Sequence, residues 1–190
     1  MPWFPGETLN TSIGQGYFLV TPLQLSSSTA ALSQKGKRFR PHLVRAIGHN
    51  QDEERREMAV EVAGEYHVIK AQNWEHIRKS MINVVHGARG TARGINVDIT
   101  YKVAGKTGTA QVFGIAQDEE YDEETVARKL RDHGLFVGFA PYEAPKIAIA
   151  VVVDNGEHGS WMARIARKVM DHYLLGTEEN KNKDGQVDDE

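Results

Sequence analysis

The chain has 190 residues, 40% of them hydrophobic and 26% charged, with a formal net charge of -3 and a pI near 6.2. That length and apolar content suffice for one ordinary domain with a buried core, and the near-neutral charge gives no bulk reason to expect a nucleic-acid partner. The absence of cysteine excludes disulfides and cysteine-ligated metal but leaves the cellular compartment open.

The opening Met1-Pro2-Trp3-Phe4-Pro5-Gly6 has neither a basic start nor an extended apolar stretch, so it does not read as a signal peptide. The longest unbroken apolar run, Ile147 to Val153, falls far below the ~20 residues that span a bilayer. Any targeting segment is therefore expected on sequence that precedes this chain. Gly14-Gln15-Gly16 predicts a flexible turn. Thr21-Pro22-Leu23-Gln24 then predicts a helix start: Thr21 can cap, Pro22 suits the first helical position and Gln24 completes a capping box. This helix should run to about Lys35 and stop at Gly36. Phe39 to Ile47 reads as a strand entered through Pro41, and residues 48–66 as a surface loop with one short strand at Met58 to Val62.

A second helix should begin near Asn73, carry Trp74, Ile77, Met81, Val84 and Val85 on one face, and end at Gly87. Gly87, Gly90 and Gly94 break the chain repeatedly before a β-like run, Ile99 to Gln111. A charged insertion over residues 114–133 follows, within which Glu123 to Arg131 could form a short exposed helix. Leu135 to Ala140 and Lys146 to Val153 are two further strands, joined through Pro141 and Pro145 as an antiparallel hairpin. The last helix is expected from about Ser160, with Ser160 as N-cap, to Leu175, burying Trp161, Ile165, Val169 and Leu174 and ending at Gly176. Thr177 to Glu190 is almost wholly polar and reads as a disordered tail. The predicted product is an α/β fold of the α+β type, an antiparallel sheet of about three strands packed by helices over residues 1–176, with no boundary before the tail.

Lys106-Thr107-Gly108-Thr109-Ala110-Gln111, at the end of the β-like run, is the feature with most chemical content. A bare K-T-G string arises by chance in roughly a few per cent of chains this long. Gly105-Lys106-Thr107 also matches the end of a phosphate-binding loop, G-x-x-x-x-G-K-[ST]. That pattern needs glycine at position 100, where Thr100 stands, and needs a helix where this chain continues a strand. A purely structural reading, a lysine on an exposed strand beside a bulge glycine, needs no function at all.

The other polar residues carry less. His42, His49, His67, His76 and His86 are scattered without metal-ligand spacing, so no metal or other cofactor is expected. Asp132-His133 and the Ser160 that follows His158-Gly159 lack the G-x-S-x-G elbow of a serine hydrolase. Asp118, Glu119, Glu120, Asp122, Glu123 and Glu124 lack the glycine and spacing of a calcium-binding loop.

Context decides between these readings. Ser12-Ile13-Gly14-Gln15-Gly16 followed by the Thr21-Pro22-Leu23-Gln24-Leu25 helix, then His86-Gly87 to Thr91-Ala92, then the lysine motif, resembles the class B penicillin-binding proteins in order and spacing. Ala110-Gln111-Val112-Phe113-Gly114, Leu130-Arg131-Asp132-His133 and Phe139-Ala140-Pro141-Tyr142 sharpen the resemblance to the penicillin-binding protein 2 group, the elongation-specific D,D-transpeptidases. It covers nearly the whole chain except the tail.

The resemblance implies a partial penicillin-binding, serine β-lactamase-like fold and peptidoglycan crosslinking through a serine acyl-enzyme, in cell elongation and shape. A serine attacks the penultimate D-alanine carbonyl, terminal D-alanine leaves, and a neighbouring stem-peptide amine takes the acyl group. β-Lactams mimic the D-alanyl-D-alanine end. Lys106 is then the motif lysine, which holds a serine of the S-x-N motif in a proton relay and adds positive potential over the carboxylate site. Thr107 and Thr109 offer hydroxyls to the substrate carboxylate, Gly108 lets the substrate backbone approach the strand, and the Thr109 backbone N–H is one of two oxyanion donors.

The family's other two motifs, S-x-x-K and S-x-N, are absent: no serine (Ser12, Ser26, Ser27, Ser28, Ser33, Ser80 or Ser160) has lysine three positions on or asparagine two on. The chain therefore reads as the C-terminal part of a transpeptidase domain, inactive alone. The nucleophile and a membrane anchor are expected upstream, with Met1 an artificial start, a misplaced start or the result of a gene break. The implied location is the periplasmic face of the inner membrane, and the implied partners are stem peptides, β-lactams and membrane proteins of the elongation machinery. The alternative is a non-catalytic module that keeps the sheet edge to hold a D-alanyl peptide or a partner. Truncation also predicts uncovered apolar surface on the motif strand and last helix.

Overall fold

The structure, a computed structural model, describes residues 3–48, 55–112 and 127–176. The first part of the charged insertion predicted over 114–133 and the tail at 177–190 lie outside the described residues, as do positions 123–126 of the possible helix at 123–131, whose remainder holds a 3-10 turn at Arg128–Leu130. The order is α1 (Pro5–Ser12), α2 (Pro22–Ser33), β1 (Lys37–Phe39), β2 (Ala46–Ile47), β3 (Arg56–Glu57), β4 (Val62–Glu65), α3 (Gln72–His86), β5 (Ala104–Ala110), β6 (His133–Ala140), β7 (Ile147–Val153) and α4 (Gly159–Leu175). Short 3-10 turns at Arg93–Ile95 and Arg128–Leu130 precede β5 and β6.

The principal sheet is the antiparallel meander β5-β6-β7, with Lys106 opposite Val137 and Gly138 opposite Ile149. It has the three strands the sequence predicts, and it is covered on both faces. Phe136 and Ala140, with Ile147, Ile149 and Val151 of β7, face α4. Ala104, Phe139 and Ala148 face the other way, against Met81 of α3 and Leu32 of α2. This is the period-2 alternation of a sheet buried on both sides.

Local chemistry accounts for α2. Thr21 Oγ1 accepts from the Gln24 N–H at 3.2 Å and Gln24 Oε1 accepts from the Thr21 N–H at 2.8 Å, the reciprocal bonds of a capping box. Its end is set at Gly36, which has φ +106° and donates to the Ala31 carbonyl at 2.8 Å. The N-terminal helix α1 was not foreseen, although Pro5 at its first turn and Glu7 just after were available signals.

Several expectations are corrected. The single strand predicted over Phe39 to Ile47 is two short ones, β1 pairing with β4 and β2 with β3, because Pro41 between them has no N–H for a continuous ladder. The short strand expected at Met58 to Val62 is displaced to either side of that segment, as β3 and β4. The motif strand begins at Ala104; Ile99 to Val103 is not strand.

The face predicted for α3 holds at Met81, Val84 and Val85 and fails at Ile77, whereas α4 is rotated from its predicted face. In α3 the buried residues are Arg78, Met81 and Val85, while Ile77 is 45% exposed. Arg78 can be buried because Glu75 lies at 3.2 Å, the Tyr142 carbonyl accepts at 2.7 Å, and the guanidinium stacks on the Tyr142 ring with a 4.8 Å separation. In α4 Met162, Ala163, Ala166 and Met170 are buried, and Trp161, Ile165, Val169 and Tyr173 form an exposed stripe. Phe136 and the β7 side chains already fill the sheet face, leaving room for alanines and pliable methionines rather than indole. Leu174 packs against this core as expected. The uncovered stripe agrees with the apolar surface foreseen for a truncated domain. Ser160 is not the N-cap of α4: His158 holds that position, and it makes no side-chain capping bond.

No helix among the described residues is long and apolar enough to cross a membrane, and no cluster of three potential ligands there could hold a metal ion.

Candidate active site

Three constraints fix the strand that carries the lysine motif. At its entry the Val103 N–H, on a wholly buried residue, donates to His86 Nε2 at 3.0 Å and so ties β5 to the last residue of α3. The segment before it is clamped to α4: Arg167 bonds both carboxylate oxygens of Asp171 at 2.7 and 2.6 Å and the Ile95 carbonyl at 2.6 Å, while the Tyr101 hydroxyl donates to Asp171 at 2.7 Å. Burial and the Asp171 carboxylate push the Tyr101 phenol well above the usual tyrosine range. Under the motif, Gly159 at the start of α4 lies against Gly108: a Cβ on Gly159 would sit 2.6 Å from the Gly108 carbonyl oxygen and 2.9 Å from its nitrogen.

β5 is the edge of its sheet among the described residues, so one side of its backbone has no strand partner there. Beside it opens a cleft of about 700 Å³, lined by Lys106 to Thr109, by Thr91, by Ile13 after α1, and by His158 to Ser160 at the start of α4. Alternation along the strand sends Lys106 to one face and Thr107 and Thr109 to the other. Lys106 also borders a second, apolar groove of about 660 Å³ between α2 and α3, which it shares with Val137, Leu25, Ile77 and Met81.

The polar groups around the cleft are sparsely engaged. Lys106 Nζ donates to the Thr107 carbonyl, and no carboxylate among the described residues pairs with it. The Thr107 and Thr91 hydroxyls are 2.8 Å apart. Thr109 Oγ1 reaches only the Glu157 carbonyl, at 3.5 Å, the outer limit of a hydrogen bond. Glu157, whose carbonyl faces Thr109, is held by Arg131, and its N–H donates to the Asp132 carbonyl at 2.9 Å. One ammonium, two hydroxyls and an open strand edge suit a peptide that ends in a carboxylate.

The structure thus brings Lys106, Thr107, Gly108 and Thr109 together on one cleft, as the sequence places them on one strand. It adds neighbours that sequence reasoning gave no role: Thr91, Ile13 and the 157–160 turn. A paired signal for the last existed in the two glycines that meet, Gly108 and Gly159. Ser160 lines the cleft in the first turn of α4, with no hydrogen bond from its hydroxyl to Lys106 or to a histidine among the described residues. His133 and Asp132 form no dyad; His133 Nδ1 instead accepts from the Asn155 N–H at 3.0 Å.

The sequence pattern of the penicillin binding protein transpeptidase domain matches residues 2–171. The chain belongs to this family. The peptidoglycan D,D-transpeptidase MrdA of Acinetobacter baumannii is 43% identical over 94% of this chain, and the match covers 26% of that protein. Among solved structures, Pseudomonas aeruginosa PBP2 in complex with WCK 5153 superimposes with a TM-score of 0.73 at 40% identity, covering 94% of this chain and 34% of that one. Helicobacter pylori PBP2, in a complex with MreC, gives a TM-score of 0.69 at 29% identity over 93% of this chain and 29% of that one. The fold is therefore that of the penicillin-binding transpeptidase domain, and the chain spans about a quarter of the length of the curated relatives it matches.

Proposed function

We propose that this chain supplies the carboxylate-binding and oxyanion side of a peptidoglycan D,D-transpeptidase site, and that the serine it serves is carried by a separate portion of the protein. The observation that carries this reading is the edge strand itself: Lys106, Thr107 and Thr109 border one cleft, and among the described residues no carboxylate competes for the lysine. A D-alanyl-D-alanine end laid along β5 would place its carboxylate against the two hydroxyls within the field of the ammonium. The fold does not itself demand glycine at position 108, where a Cβ would touch only Leu135 Cβ at 3.3 Å, so close approach of the substrate backbone is a sufficient reason for it.

Lys106 also faces the apolar groove between α2 and α3, so a segment bearing the nucleophile and seated there would bring its hydroxyl beside the ammonium. The Thr109 N–H supplies one oxyanion donor, and the second belongs to that missing serine. Loss of a single donor costs a serine enzyme roughly 3 kcal/mol of transition-state stabilisation. The working location is the periplasmic face of the inner membrane, in cell elongation, with a scaffold of the kind seen with the Helicobacter pylori protein as a partner.

Two measurements test the reading. Fluorescent penicillin should leave no covalent label on the 190-residue chain; a stable adduct overturns the claim that the nucleophile lies elsewhere. A peptide ending in D-alanyl-D-alanine should bind saturably and Lys106→Ala should weaken it about tenfold, as expected for a hydrogen bond to a charged group. Unchanged affinity would remove Lys106 from the site.

A further inference from the structure

We propose that Thr91 is a positioning residue for the substrate carboxylate, acting through Thr107; this rests on the reading of the cleft given above. The chain is folded so as to deliver it there. α3 ends at Gly87, the Gly90 N–H donates back to the Gly87 carbonyl at 2.9 Å, and the Ala92 N–H caps the Val84 carbonyl at 2.9 Å. Gly90 lies so close to the Asn83 and Val84 carbonyls that a Cβ would collide with both. Ala92 is 2% exposed and anchors the far side of the loop in the core. Thr91, between these two fixed points, presents its hydroxyl to the cleft 2.8 Å from that of Thr107.

The proton count gives that contact a direction. Each hydroxyl has one proton to donate and can accept two bonds. If Thr107 donates to Thr91, its proton is spent and it cannot serve an anion. If Thr91 donates to Thr107, the Thr107 proton is free for the carboxylate and the Thr107 oxygen is polarised by the bond it accepts. A carboxylate accepts only, so its arrival selects the second arrangement: Thr91 O–H to Thr107 O–H to carboxylate oxygen. Hydrogen bonds in such a chain polarise one another. Thr91 therefore holds the Thr107 hydroxyl in the donating orientation without touching substrate. Among the described residues neither hydroxyl has another side-chain partner.

The test uses NMR titration of the 190-residue chain with an N-acetylated tripeptide ending in D-alanyl-D-alanine and with the same tripeptide as its C-terminal carboxamide. Thr91→Val keeps the shape and removes the hydroxyl; Thr91→Ser keeps the hydroxyl. Thr91→Val should weaken the carboxylate peptide about fivefold, the worth of one ordinary hydrogen bond, and Thr91→Ser should stay within about twofold of the parent. The carboxamide should be insensitive to Thr91→Val. Because Thr91 acts through Thr107, the double variant with Thr107→Val should bind no worse than Thr107→Val alone. The inference is overturned if Thr91→Val leaves carboxylate binding unchanged, if it weakens both peptides equally, or if the two substitutions add. If Thr107→Val and Lys106→Ala both leave carboxylate binding unchanged, the cleft reading itself fails and takes the inference with it.

Discussion

Gly159→Ala probes the contact on which the site rests. The new Cβ would lie 2.5 Å from the Leu135 carbonyl oxygen, 2.6 Å from that of Gly108 and 2.9 Å from the Gly108 nitrogen. Ordinary contacts of this kind begin near ~3.5 Å, and all three atoms are backbone of the paired strands β5 and β6, so no side chain can swing aside. Either the first turn of α4 lifts or the motif strand moves, by about 1 Å. Overpacking of this kind costs about 1–3 kcal/mol, while replacing glycine by alanine at a helical position returns at most ~1 kcal/mol. The expected net loss is about 2 kcal/mol, which for a domain of this size lowers the melting temperature by roughly 4–8 °C. Calorimetry measures it, alongside the affinity for the D-alanyl-D-alanine tripeptide, which should fall about tenfold because the displaced residue is Gly108 of the motif. Gly94→Ala, with no atom within 4 Å of its Cβ, is the matched control and should stay within about 0.5 kcal/mol. An unchanged or raised melting temperature for Gly159→Ala, with peptide affinity intact, would refute the argument that α4 fixes the motif strand.

Tyr101 has a raised phenol, chiefly through burial and then through Asp171, so the folded state holds its proton more tightly than the unfolded chain does. Its contribution is fully present below the unfolded value near ~10 and is lost as pH rises above it. The parent should therefore lose stability more steeply than Tyr101→Phe in melts from about pH 9 to 11.5, and parallel curves would count against the Asp171 bond. Arg78→Ala removes a buried guanidinium that is the donor to the Tyr142 carbonyl and the ring-stacked neighbour of Phe139 and Tyr142. It should cost about 3 kcal/mol in urea unfolding, and Arg78→Met, which restores volume without charge, should recover roughly half. A loss under about 0.5 kcal/mol for Arg78→Ala would show that the stack is incidental.

Much of this molecule was legible because its signals are local. A capping box with proline names the start of α2, glycines name the ends of the three long helices, and apolar runs on either side of Pro141 and Pro145 name a hairpin. The face of α4 was not legible. Trp161, Ile165 and Val169 are as apolar and as regularly spaced as Met162, Ala166 and Met170. What separates them is the room left by Phe136 on a strand some 30 residues earlier, a quantity that periodicity does not contain.

The linear chain by itself determined the family and the order of the residues along the strand that borders the cleft, because contiguous residues on an edge strand keep their order and their alternation wherever that strand is placed. It also determined that S-x-x-K and S-x-N are missing, since a motif is a matter of composition at fixed spacing. Only the tertiary structure decided which residues surround the motif. Thr91, His86 and Gly159 come from a loop and two helices that meet the motif strand or its entry, and Arg167 ties the segment before that strand to α4 across 72 positions, where contact is set by packing and hydrogen bonding rather than by neighbourhood in the chain.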